Sequence, residues 1–201
     1  MDGIKLTVFL GNPGNQYAGN RHNAGRLFAQ NIVEKSAWQK KFKGLYANIT
    51  LGEVTEKIHM LMPETFMNLS GASVKAAAAF FKLQPQNILI VHDELELDLG
   101  QASFKFSGGL GGHNGLRSAK EQLGTADFWR LRIGIGRPYG IKEAGQDISG
   151  WVLSNFTADE KPLLDEVFTV CTHAFYKALL DGPQTLLPQW NKKTICTRAA
   201  S

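Results

Sequence analysis

A chain of 201 residues, 43% of them hydrophobic, can bury roughly 70% of the surface its unfolded form exposes; with no Pro-, Gly- or Ser-rich linker and no repeat, it reads as one domain over residues 1–201. Two cysteines are too few for a disulfide framework and suit a reducing compartment, no apolar run is long enough to span a bilayer, and Met1-Asp2-Gly3-Ile4-Lys5 lacks the basic-then-apolar pattern of a secretory leader. A cytoplasmic protein is expected, and its net charge of +4 is too modest to define a partner without its distribution.

Lys5 to Leu10 (KLTVFL) is a short, apolar, β-favouring run stopped by Gly11-Asn12-Pro13-Gly14, which predicts a buried strand followed by a loop. Ala24, Leu27, Phe28 and Ile32 keep helical spacing, with Asn23 placed to cap them. Residues 46–51 and 57–62 read as paired strands and 69–81 as a helix. Ile88 to Val91 is a second fully apolar strand, with His92 and Asp93 at its C-terminal end. A strand over 102–106, a Gly-rich loop from Gly108 to Gly115, a helix over 116–123 and a strand over 131–135 follow.

Thr157-Ala158-Asp159-Glu160 has the form of a capping box ahead of a helix through Leu164, Val167, Phe168, Cys171, Phe175 and Leu179. Cys171 falls on the apolar stripe of that helix and is read as core, not as a nucleophile. Residues 186–201, with Lys192, Lys193 and Arg198, read as a tail: a flexible basic arm or a frayed end. Strands alternating with helices predict an α/β fold. The two apolar strands belong at the sheet centre, and ligands of such sheets bind beyond the strands' carboxyl ends. Asn12 and Asp93 lie just past two such ends, so a shared site is expected there.

From Lys105 to Lys142 there are seven basic residues against Glu121 and Asp127, a local +5 that exceeds the charge of the whole chain. Such a segment suits a polyanion-binding face, though it also suits a solvated surface. The polar residues that could carry chemistry are Asn12, His22, Asn68, His92, Asp93, His113 and Asn114. No Gly-x-Ser-x-Gly, His-Glu-x-x-His, Cys-x-x-Cys or P-loop occurs, and the Gly-rich run lacks dinucleotide-binding spacing. One histidine, one aspartate and several amides suffice for ester hydrolysis. An imidazole takes a proton from water, a carboxylate orients it, and amides donate to an oxyanion. Taken singly, the same residues also serve as turn formers and hydrogen-bonded structural groups.

Five segments in order carry a resemblance. They are Leu10-Gly11-Asn12-Pro13-Gly14 with Tyr17 and Arg21-His22-Asn23-Ala24-Gly25; residues 63–71 (PETFMNLSG); 92–97 (HDELEL); 111–118 (GGHNGLRS); and 130–138 (RLRIGIGRP). Together they resemble the bacterial-type peptidyl-tRNA hydrolase family, and the stretch from Val152 to Phe156 also fits. The chain departs from the family's pattern at Phe9, Asn20 and Glu96, none of which is a proposed catalytic group.

The resemblance implies a single α/β domain with a mixed, twisted sheet flanked by helices, monomeric and without metal or cofactor. It implies hydrolysis of the ester between a peptide and the 3′ ribose of tRNA. In that reading His22 activates water and Asp93 orients it. Asn12, Asn68 and Asn114 position substrate and water, Tyr17 and Met67 shape the cleft, and Lys105 and Arg132 grip the tRNA phosphates. Two readings compete with it: a non-catalytic RNA-binding protein on the same fold, and a small-molecule esterase with an incidental basic face.

Overall fold

In the computed structural model, which describes residues 3–52, 57–138 and 148–197, the apolar run near the N-terminus forms β1 (Leu6–Phe9), buried along its whole length. It lies parallel to β4 (Lys57–Pro63) on one side and β5 (Ile88–Glu94) on the other. β7 (Trp129–Gly134) continues the parallel set beside β5. The edges are antiparallel: β3 (Gly44–Thr50) and β2 (Gln39–Lys41) beyond β4, and β6 (Gln101–Phe106) and β8 (Lys193–Thr194) beyond β7. The order is β2-β3-β4-β1-β5-β7-β6-β8, the mixed sheet that the resemblance implies.

Both faces of the central strands are covered, which is why they read as continuous apolar runs instead of alternating ones. Leu6, Val8, Ile88 and Ile90 pack with Val74 and Ala77 of α2 (Ser70–Phe80) and Leu116 and Ala119 of α3 (Asn114–Leu123). Phe9, Leu89, Val91, Leu131 and Ile133 face the opposite layer, made by α1 (Ala24–Ala29) and α5 (Lys161–Asp181). Two short helices complete the fold, α4 (Ile148–Leu153) and α6 (Leu187–Trp190). Cys171 lies in the core, and burial pushes its thiol far up, as expected of a packing residue.

The fold differs from the sequence expectations in four places. β5 runs three residues past Val91, so His92 and Asp93 sit in the strand and not beyond it. The reason is unequal pairing: the ladder with β1 stops at Val91, whereas the ladder with β7 continues to Glu94. The last residues of β5 therefore border an open crevice on the β1 side. Asn23 precedes α1 but makes no cap hydrogen bond; its amide is engaged elsewhere, as described below. In the 157–160 turn only half of the box forms: Glu160 accepts from the Thr157 N–H at 2.8 Å, and α5 begins after Glu160. Finally, the stretch from Leu186 supplies α6 and β8 and buries Leu186 and Trp190 in the core.

Candidate active site

The crevice at the ends of β1 and β5 is built by close approach. Gly25, at the start of α1, lies so near the strand ends that a Cβ there would stand 2.5 Å from the Val91 carbonyl oxygen and 2.7 Å from that of Leu10. Only a glycine lets the helix enter at that depth. The 3₁₀ turn Arg21–Asn23 immediately before it is thereby set over the end of β5.

Asn23 then braces the loop after β1. Its Oδ1 accepts from the Asn12 N–H at 2.8 Å and its Nδ2 donates to the Asn12 carbonyl at 2.9 Å. Asn12 in turn accepts the Met67 N–H on its Oδ1 at 2.8 Å. That bond fixes the amide's orientation and leaves Nδ2 to donate into the cleft.

Asp93, 3% exposed, is the centre of the site. His22 Nδ1 lies 2.9 and 3.0 Å from its two oxygens. His113 Nε2 lies 3.0 Å from Oδ1. His113 caps α3: its Nδ1 accepts from the N–H groups of Gly115 and Leu116. Its Nε2 must then carry the hydrogen and donate it to Asp93. The rings of His22 and His113 stand 4.8 Å apart.

Burial alone would raise the Asp93 carboxyl, but His113 and His22 together hold it far below the usual carboxylate range, so it is an anion. Burial alone would lower His22, but the charge of Asp93 and its hydrogen bond outweigh that and raise it. With Nδ1–H donated to the carboxylate, His22 Nε2 keeps its lone pair for a reactant. His92 serves differently: its Nδ1 bonds the Asp93 carbonyl at 2.7 Å, and burial drives it well below the ordinary imidazole value, keeping it neutral.

A cleft of about 820 Å³ opens above this group. Asn12, His22, Met67, Asn68, Asp93, His113 and Asn114 all line it, so seven residues singled out in the sequence converge. Asn68 stands just before α2 and Asn114 opens α3, both exposed. Phe66, Leu95, Val152 and Leu153 give the cleft an apolar rim. Tyr17 is not brought to it; it sits half-buried on the 3₁₀ turn Asn15–Tyr17. His113 was among the sequence's polar candidates, but its bond to Asp93 joins residues 20 positions apart and has no local signal.

The nitrogen and oxygen atoms of His22, Asp93 and His113 lie within 4.8 Å of one another, spacing that a metal ion could bridge. With His22 Nδ1 and His113 Nε2 each donating a hydrogen to Asp93, neither of these nitrogens offers a lone pair to an ion in that arrangement.

The basic segment divides. Lys105 on β6 lies opposite Arg130 of β7, two residues along from Arg132; burial and the nearby Arg130 and Arg132 lower the Lys105 ammonium. Arg132 Nε donates to Glu94 Oε2 at 2.8 Å. Arg130 is 1% exposed and donates to the carbonyls of Gly109 and Ser107. It pins the Gly-rich loop and is removed from any phosphate-binding face. Lys142, at the end of the segment, lies outside the described residues.

Comparison with known proteins identifies the family of the chain. The family model for peptidyl-tRNA hydrolase matches residues 6–198. The peptidyl-tRNA hydrolase of Treponema pallidum is 44% identical over 199 residues, covering 96% of this chain and 97% of that protein. That of Desulfitobacterium hafniense is 46% identical over 166 residues, covering 82% and 86%. The crystal structure of peptidyl-tRNA hydrolase from Acinetobacter baumannii superposes with a TM-score of 0.78 at 38% identity, covering 90% of this chain and 91% of that one. With a family model that spans nearly the whole chain, relatives at 44–46% identity and a matched fold, this chain belongs to the peptidyl-tRNA hydrolase family.

Proposed function

We propose that the cleft hydrolyses the ester between a peptide and the 3′ ribose of tRNA, using water activated by His22. The observation that carries this mechanism is the His22–Asp93–His113 arrangement, with one imidazole nitrogen left to act as a base. Water attacks the ester carbonyl as its proton passes to His22 Nε2. Asp93, already an anion, stabilises the imidazolium. Asn12 Nδ2, Asn68 and Asn114 donate to the oxyanion or hold the ester and water in line. Collapse of the tetrahedral intermediate expels the ribose 3′ oxygen, which takes the proton back from His22. Peptide acid and free tRNA leave, and the tRNA is recycled from prematurely released peptidyl-tRNA.

Met67 and the apolar rim shape the peptide channel, and Lys105 and Arg132 take phosphates of the acceptor end. The reading has the chain acting as a monomer in the cytoplasm. No helix among the described residues is long and apolar enough to cross a membrane.

The deciding experiment is release of a labelled N-acetyl amino acid from tRNA by the wild type and His22→Ala. Cleavage lost in the variant with tRNA still bound is the expected result. Cleavage that survives the substitution would overturn the base assignment. Binding without cleavage by the wild type would point to an RNA-binding protein.

A further inference from the structure

We propose that Arg21 is a positioning residue for His22, locking the turn that carries this base to helix α4, which walls the cleft. Arg21 immediately precedes His22 in the 3₁₀ turn and is 3% exposed. Its side chain points away from the cleft, into a socket built by residues 151–160. One terminal nitrogen donates to Glu160 Oε2 at 2.6 Å. The other donates to Ser154 Oγ at 2.8 Å and to the Asn155 carbonyl. The guanidinium lies 3.9 Å from the centre of the Trp151 ring. The backbone joins in: the Arg21 N–H donates to the Ser154 carbonyl at 2.9 Å, and Asn20 forms an antiparallel bridge with Asn155.

α4 needs such an anchor. None of its residues is fully buried, and only Trp151 and Val152 pack, half-buried, against the core. Yet Ile148, Ser149, Val152 and Leu153 of this helix line the cleft. Trp151 ties it to the Gly136 carbonyl at 2.9 Å and to Arg21 by stacking. A buried ion pair such as Arg21–Glu160 adds little net stability over an apolar substitute. Its geometry instead fixes one register between the His22 turn and the cleft wall. Substrate seated against α4 therefore bears, through Arg21, on the turn that aims His22 at Asp93.

This inference rests on the reaction proposed above, so its test has a readout independent of turnover. Arg21→Lys keeps the charge and loses the fork; Glu160→Gln keeps the shape and loses the ion pair. Cleavage of N-acetylaminoacyl-tRNA would be measured against pH below each variant's melting temperature, with the His22 imidazole followed by NMR. Asp93 and His113 touch that imidazole, and Glu94, Arg117 and Arg137 line the same cleft; neither variant alters any of them.

The expected result for Arg21→Lys is a kcat lower by about 10- to 100-fold with KM within about twofold. Its His22 titration midpoint should move down as the bond to Asp93 loosens. Glu160→Gln should do the same to a lesser extent, and the double variant should be no worse than Arg21→Lys. Unchanged kcat and unchanged His22 midpoint in both variants would reduce Arg21 to a structural brace and overturn the proposal. A raised KM at constant kcat would overturn it too, in favour of a binding role for α4. If the wild type cleaves nothing, the reaction reading fails, and the His22 titration alone still decides the role of Arg21.

Discussion

Asp93 accepts hydrogen bonds from two imidazoles while almost wholly buried, so its charge and both donors stand or fall together. Asp93→Asn replaces the acceptor with a group that satisfies at most one histidine well and leaves the His22 tautomer unset. The expected loss in kcat is about 10⁴-fold, as for orienting carboxylates elsewhere. Its pH profile carries a second expectation with a definite sign. His22 acts as a base only when neutral, and Asp93 raises its pKa. The wild type should thus lose activity on the acid side at a higher pH than an unperturbed imidazole would. Residual activity of Asp93→Asn should persist to lower pH, and an unmoved acid limb would detach that limb from His22.

His113→Ala removes one donor from the carboxylate and the cap of α3 together. About tenfold in kcat, the worth of one hydrogen bond to a charged group, and about 1 kcal/mol of stability are expected. Activity assays and urea titration separate the two effects. The sequence held His113 as a polar candidate but not its partner, because a contact between a strand end and a helix cap is set by tertiary packing. His22, Asp93 and the three asparagines were legible through motif resemblance; their residue types alone were equally compatible with turns.

α2 and α3 cross almost in backbone contact. A Cβ on Gly71 would lie 2.0 Å from the Ser118 carbonyl oxygen, and the Gly71 N–H donates to Ser118 Oγ at 3.0 Å. The cleft amides Asn68 and Asn114 sit at the beginnings of these two helices. Gly71→Ala must push the helices apart, with about 1–3 kcal/mol lost to overpacking and the two amides separated. A lower urea midpoint with kcat/KM reduced more than in a destabilised variant far from the cleft is expected. An unchanged midpoint would show that the contact is looser than it stands here.

The main strands and α2 were readable because apolar runs and helical spacing survive in sequence. β2 was not: it is exposed throughout and joined to β3 by Phe42-Lys43, both at φ 56°, where such turns ordinarily take Asn-Gly. Tertiary bonds impose that turn, from Ser73 Oγ to the Phe42 carbonyl and from the Glu64 N–H to the Lys43 carbonyl. α4 was equally silent, since it has no periodic apolar stripe and is seated by Arg21, the Trp151–Gly136 bond and the partial packing of Trp151 and Val152.

At the scale of the whole molecule, a count of charges overstates the phosphate-binding face that the fold delivers. Arg130 is spent inside, and Arg132 and Arg137 are paired with Glu94 and Glu96. The two cations proposed to meet phosphate are therefore unequal. Lys105 has no carboxylate bonded to it among the described residues, so Lys105→Ala should weaken tRNA binding and lower the slope of log K against log salt by about one. Arg132→Ala does more than remove a cation: it strips Glu94 of its partner and leaves a carboxylate facing the phosphate path. Its affinity should fall below that of Lys105→Ala, and adding Glu94→Gln should recover part of the loss. Anisotropy titrations of labelled tRNA over a range of salt would measure all four proteins. Equal losses for the two single variants, with no recovery in the double, would mean that Glu94 stays compensated and that Arg132 acts as an ordinary point charge.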